Sequence, residues 1–282
     1  VAEFPESIVS MSCAYCDAPL VDGDRARVEV ARVAPFRIQR SVAEQRLSEH
    51  LADRFWAPNS VRKGLVRDHK LKGVLVPFWA YTGTARSNFR AKVGIYWWKT
   101  VTYVDSKGRV RTRQERRTEW FSHEGSAIRA LDDHLVSASS GLEEAESNSL
   151  EPFDLGRAEP FSPEMVSGWS AELSSVGRDT ADGVCVDEVH GLESSRIATY
   201  LLPGDVNTLE RLHTDVDLEK AELVLLPIWI ASYRHGNKVF RQLVNGQTGL
   251  TVGDTPTSRA KVAAVIGIGL LLLVALVAAV AS

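Results

Sequence analysis

The chain has 282 residues with 33 basic and 36 acidic side chains, 44% apolar and 24% charged residues. This ordinary globular composition excludes a disordered tail, a collagen-like fibre and a disulfide-rich miniprotein. A net charge of −3 is too small to mark a nucleic-acid binder by bulk electrostatics.

Cys13-Ala-Tyr-Cys16 is the first feature in chain order. A CxxC turn aims two thiolates at one point and forms half of a tetrahedral zinc site. No second pair follows. Cys185 is far away in sequence, and His50 and His69 stand outside ligand spacing. A decayed knuckle, a thiol pair and half a ribbon remain open, and the first residue is Val rather than Met. Ser41-Val-Ala-Glu44 has the spacing of a capping box. Ala43, Leu47, Leu51 and Phe55 then form an apolar stripe on a helix that stops at Pro58-Asn59. Gly73 to Tyr81 has a buried-strand pattern. Two β-prone stretches, 91–104 and 109–121, flank Asp105-Ser-Lys-Gly108, a hairpin signal.

Ile128, Leu131 and Leu135 predict a further helix, on which Asp132-Asp133-His134 point about 100° apart and cannot converge on one ion. Residues 142–160 form an acidic connector. Ser162-Pro163 opens another helix, Val184 to Ile197 suggests one more, and 222–252 predicts a β-meander. Val74-Leu-Val-Pro-Phe-Trp79 is echoed by Val224-Leu-Leu-Pro-Ile-Trp229, which suggests two related helix-plus-sheet lobes. Val262 to Ala281 carries no charged or polar side chain, the length of a bilayer-spanning helix. Arg259 and Lys261 flank it, which predicts a tail anchor with the preceding residues at the cytoplasmic face, if the chain ends at Ser282.

The expected fold is therefore α+β: a knuckle over 1–30, a first lobe with the basic hairpin over 31–141, a second lobe over 142–252, a linker over 253–261 and a transmembrane helix over 262–281. Between residues 86 and 117, ten Arg and Lys stand against Asp105 and Glu115, interleaved with Tyr96, Trp97, Trp98 and Tyr103. Cations and aromatics on strands suit phosphate contact and base stacking, and equally anionic lipid headgroups. They also suit a solvated hairpin whose charges protect a sheet edge. Arg109, Arg111, Arg113, Arg116, Arg117, Trp97 and Trp98 are the candidate surface residues. Residues 142–188 hold twelve carboxylates against Arg157 and Arg178, a counterpart of opposite sign. No phosphate loop, HExxH or GxSxG motif is present, so the sequence points away from an enzyme.

Several segments together resemble a bacterial family of TFIIB-type zinc-ribbon membrane proteins, often labelled primosomal-helicase-like. They are Cys13-x-x-Cys16-x-x-Pro-Leu20, Ala57-Pro-Asn59, Leu75-Val-Pro-Phe-Trp79, the 100–120 hairpin, Leu226-Pro-Ile-Trp229 and Val244-Asn-Gly-Gln-Thr-Gly249. The resemblance implies zinc at Cys13 and Cys16, with only the second knuckle matched and Asp17 where glycine is common. It also implies an adaptor for SPFH-type or phage-shock-type scaffold partners at the membrane in envelope stress. A membrane-tethered nucleic-acid-binding module is the alternative.

Overall fold

A computed structural model describes residues 8–12, 19–21, 30–59, 71–235 and 238–281. Among them the elements are β1 (Ile8–Ser12), β2 (Pro19–Val21), β3 (Val30–Val33), α1 (Arg40–Asp53), β4 (Lys72–Val104) and β5 (Val110–Ser137). There follow α2 (Glu144–Leu150), β6 (Glu159–Pro160), α3 (Pro163–Val166), β7 (Ser170–Glu172) and α4 (Arg178–Arg196), which runs on as a π-turn, Ile197–Leu201. The chain closes with β8 (Val206–His235), β9 (Lys238–Asn245), β10 (Thr251–Gly253) and α5 (Arg259–Ala281).

The described strands form one ten-stranded sheet in the order β10-β9-β8-β4-β7-β1-β2, with β5 on β4, β3 on β8 and β6 on β3. The α+β class stands, but the expectation of two successive related lobes is corrected by this single sheet. The echoed segments explain the error. Val74–Trp79 lies in β4, which pairs in parallel with β7 (Val74↔Ser170, Leu75↔Ala171). Val224–Trp229 lies in β8, which pairs in parallel with β3 (Val30↔Leu223, Val33↔Leu225). Similar sequences thus mark two similar entries into a shared sheet. The chain divides into two compact units that interleave in sequence: residues 1–79, 136–177 and 222–282, and residues 80–135 and 178–221.

In the first unit, Ala43, Leu47 and Leu51 of α1 are buried with Trp229, Ala231, Tyr233 and Val244, so the predicted stripe is the packing face. Phe55 lies beyond the helix and is exposed. The capping box does not form. Helix α1 already begins at Arg40 with Gln39 as N-cap, so Ser41 sits inside the first turn and Glu44 pairs with Arg40 at 2.8 Å. Phe36 stacks on Trp169 at 4.1 Å and lies 4.9 Å from Trp229. Gly246 must be glycine here, because a Cβ would stand 2.6 Å from the Pro227 carbonyl and 2.7 Å from the Phe36 ring.

The C-terminal expectation is also corrected. Among the described residues no helix is long and apolar enough to cross a membrane. Residues 259–281 are helical as α5. The transmembrane helix, the tail anchor and the membrane localisation with a cytoplasmic N-terminal region all fall with that finding. Lys261 instead donates to the Phe55 and Ala57 carbonyls at 2.8 and 2.7 Å, and Ser258 N–H donates to Trp56 O at 2.8 Å.

In the second unit, β4 alternates cleanly. Tyr81, Ala85, Ser87, Phe89, Ala91 and Val93 are buried, while Arg86, Asn88, Arg90 and Lys92 are exposed. Phe89, Ala91 and Val93 pack with Ile197 and Leu202. The helix expected at Ile128–Leu135 is a strand. Leu131 and Leu135 are four apart, a spacing that fits both a helix turn and a strand's alternation. Ile128, which tipped the pattern towards a helix, is exposed. Within β5, Asp133 adopts a φ of 51°, and His134 Nε2 lies 3.1 Å from Glu188 Oε2.

Candidate functional site

Beyond Gly94 the antiparallel pair β4–β5 continues as a ribbon with both faces exposed. Its pairing is even. Cross-strand contacts at Asp105–Arg109, Thr100–Gln114, Arg90–Glu124 and Phe89–Gly125 step equally along both strands, so no bulge intervenes. The turn is built as its sequence requires. The amides of Lys107 and Arg109 donate to Asp105 Oδ1 at 2.9 and 3.0 Å, and Gly108 supplies a φ of +73°.

Even pairing assigns each side chain to a face. Odd-numbered residues put Trp97, Lys99, Tyr103, Arg109, Arg111, Arg113, Glu115, Arg117 and Phe121 on one side. Even-numbered residues put Tyr96, Trp98, Arg116 and Trp120 on the other, with Trp120 lying over the bare Gly94. Of the seven surface residues the sequence singles out, Trp97, Arg109, Arg111, Arg113 and Arg117 therefore come together, while Trp98 and Arg116 face away from them. Trp98 is 65% exposed and Val110 72%.

Two carboxylates organise the odd face. Nε of Arg109 and of Arg111 donate to Asp105 Oδ2 at 3.2 and 3.0 Å. Arg113 and Arg117 donate to opposite oxygens of Glu115 at 2.6 and 2.7 Å. The Arg109 amide and the Arg111, Lys107 and Arg109 donors hold the Asp105 carboxyl below the usual carboxylate range. Arg113, then Arg117, do the same for Glu115. Each guanidinium has five N–H donors, so four arginines shared between two carboxylates keep donors free for an incoming anion. On the even face, the Arg116 guanidinium sits 4.2 Å above the Tyr96 ring.

Sequence reasoning missed Trp120 and Phe121 as members of this surface, 48% and 45% exposed. Their signal was the aromatic pair at the end of the β-prone stretch 109–121, just past the basic window that closes at Arg117.

The remaining candidates fare differently. Cys13 and Cys16 lie outside the described residues. Among those described, no three His, Cys, Asp or Glu side chains come together to hold a metal ion. Cys185 is buried, and burial with Glu188 and Asp182 nearby pushes its thiol up to about 12, so it is no nucleophile at neutral pH. Arg259 opens α5, and Lys261 is tied to backbone carbonyls as described above.

The chain is similar to an uncharacterized protein, YdjG, of Bacillus subtilis (strain 168). The two are 26% identical over 258 residues, covering 88% of this chain and 70% of that protein. No protein-family model matches the chain, and no solved structure matches it.

Proposed function

We propose that this protein is a non-enzymatic interaction module and that the β4–β5 ribbon is the surface by which it holds a protein partner. The observation that supports this most directly is the ribbon's combination of exposed aromatics and arginines on both faces. Trp, Tyr and Arg are the residues that carry most binding energy when a partner desolvates them, because each brings a large area with few rotatable bonds or a planar donor fork. A two-stranded ribbon is marginally stable alone in water, so a partner's cover also stabilises it. The excess of positive charge selects an acidic partner and speeds its encounter.

The test compares affinity capture by the full chain with capture by the triple variant Arg111→Ala, Arg113→Ala, Arg117→Ala, after nuclease treatment. These side chains are exposed and their ion pairs are screened by solvent, so the variant folds normally. The expected result is a salt-sensitive set of proteins held by the parent and lost by the variant. The same proteins on both baits would overturn the proposal. So would nucleic acid as the species lost, which would support the zinc-ribbon-type nucleic-acid module instead.

A further inference from the structure

Resting on that reading, we infer that the partner contributes an extended acidic segment that adds as an antiparallel strand to the free edge of β5. Two independent observations converge on this. First, β5 pairs only with β4 among the described strands, so its outer edge is open. The Asp105–Arg109 pair is hydrogen-bonded (Asp105 N–H to Arg109 O, 2.9 Å), which directs the backbone groups of odd residues towards β4. Even pairing then turns the N–H and C=O groups of Thr112, Gln114, Arg116, Thr118 and Trp120 outward, a ready template for another strand.

Second, the arginines repeat with the period of a strand. Arg109, Arg111, Arg113 and Arg117 share one face at two- or four-residue steps, the first three spaced by roughly 6.8 Å. A partner strand that sets carboxylates opposite these arginines and a neutral residue opposite Glu115 complements that row. Because the odd residues of β5 bond inward, they meet an added antiparallel strand as non-hydrogen-bonded pairs, in which side chains approach most closely. The even face, with Val110, Thr112, Thr118 and Trp120, suits β-branched residues at the intervening positions. The same arginines discriminate against the wrong occupant. Edge-to-edge pairing with β5 of a second copy sets guanidinium against guanidinium.

The probe is a synthetic alternating Thr-Glu peptide of about ten residues, a length that covers the arginine row, with Gln in place of the glutamate that would face Glu115. It is titrated onto the full chain alongside three controls: the same composition with the glutamates in one block, the alternating peptide N-methylated at its threonine amides, which face β5, and an oligothymidylate. Strand addition predicts that the alternating peptide binds at least about tenfold more tightly than either peptide control. It also predicts that Arg111→Ala, Arg113→Ala, Arg117→Ala together abolish that preference, and that the Thr112, Gln114, Arg116, Thr118 and Trp120 amides gain exchange protection. Equal binding by the N-methylated peptide would overturn strand addition and leave the ribbon as a docking face. Binding of the oligonucleotide alone would overturn both readings. A salt-stable dimer of the free chain with β5 amides protected would show the edge already taken by a second copy. Absence of all peptide binding at millimolar concentration would overturn the inference.

Discussion

Asn245→Ala is expected to lower stability by about 3 kcal/mol in urea unfolding, because it strands several backbone groups at once. The Asn245 side chain is fully buried. Its Nδ2 donates to Leu150 O and Pro152 O at 2.8 and 3.1 Å, and its Oδ1 accepts from Gln247 N–H and Thr248 N–H at 2.8 and 3.0 Å. All the bonding capacity of the amide is used, so one side chain closes the β9–β10 turn and pins the segment after α2. Gln247 extends the clamp: its Oε1 accepts from Asp154 N–H at 2.8 Å and its Nε2 donates to Asp154 O at 3.2 Å. Asn245→Asp keeps the acceptor but turns a buried anion towards two carbonyls. Burial and those carbonyls raise its folded pKa, so whatever stability it retains is present at low pH and lost as pH rises through that value. The aspartate variant should therefore be the less stable of the two at neutral pH and recover in acid. A loss below about 1 kcal/mol for the alanine variant would show that the turn holds without its clamp.

Arg196→Met carries a cost of similar size, about 3–5 kcal/mol, the range for removing one partner of a buried ion pair. Glu193 on α4 has no exposed surface. Arg196 donates to both its oxygens at 2.8 and 2.6 Å, Ser87 Oγ donates at 3.3 Å, and Arg129 stands 3.7 Å away. Burial by itself would raise this carboxyl. The Arg196 hydrogen bonds and charge, with Ser87 and Arg129, outweigh burial and leave it below its ordinary value. In the parent protein this contribution is thus present above the unfolded carboxylate pKa and lost as pH falls through the folded one. In the variant, burial dominates and the folded pKa rises, so the missing stability returns as pH falls. The gap between parent and variant should narrow from pH 7 to pH 4 in denaturation series run in parallel. A gap that widens over the same range would place the proton elsewhere.

Features of this fold that depend on neighbours in sequence were legible, and those set by distant partners were not. Asp105 to Gly108 declares its turn because the capping side chain and the positive-φ glycine lie within four residues. The α1 stripe is legible for the same reason. Asn245-Gly-Gln-Thr-Gly249 shows as a turn, but its meaning lies in Leu150, Pro152, Asp154 and Phe36, which no local pattern reveals. Strand length was hidden as well. β4 runs for 33 residues, and nothing local distinguishes one such strand from two shorter ones. The basic, aromatic composition of the ribbon was plain. Its two-faced arrangement required the pairing register, which separates Arg116 and Trp98 from the other arginines. The chemistry of Cys13 and Cys16 lies outside the described residues.

The role of the ribbon can be tested at single-residue resolution by placing a photo-crosslinking amino acid at Trp98, Val110 or Trp120 in the cell. Tyr200, which is 80% exposed and outside the ribbon, serves as the control position. Partner binding through the ribbon predicts a protein adduct from the ribbon positions, absent from Tyr200 and lost when Arg111, Arg113 and Arg117 are replaced by Ala. Adducts formed equally from Tyr200, or ribbon adducts consisting of nucleic acid, would contradict it.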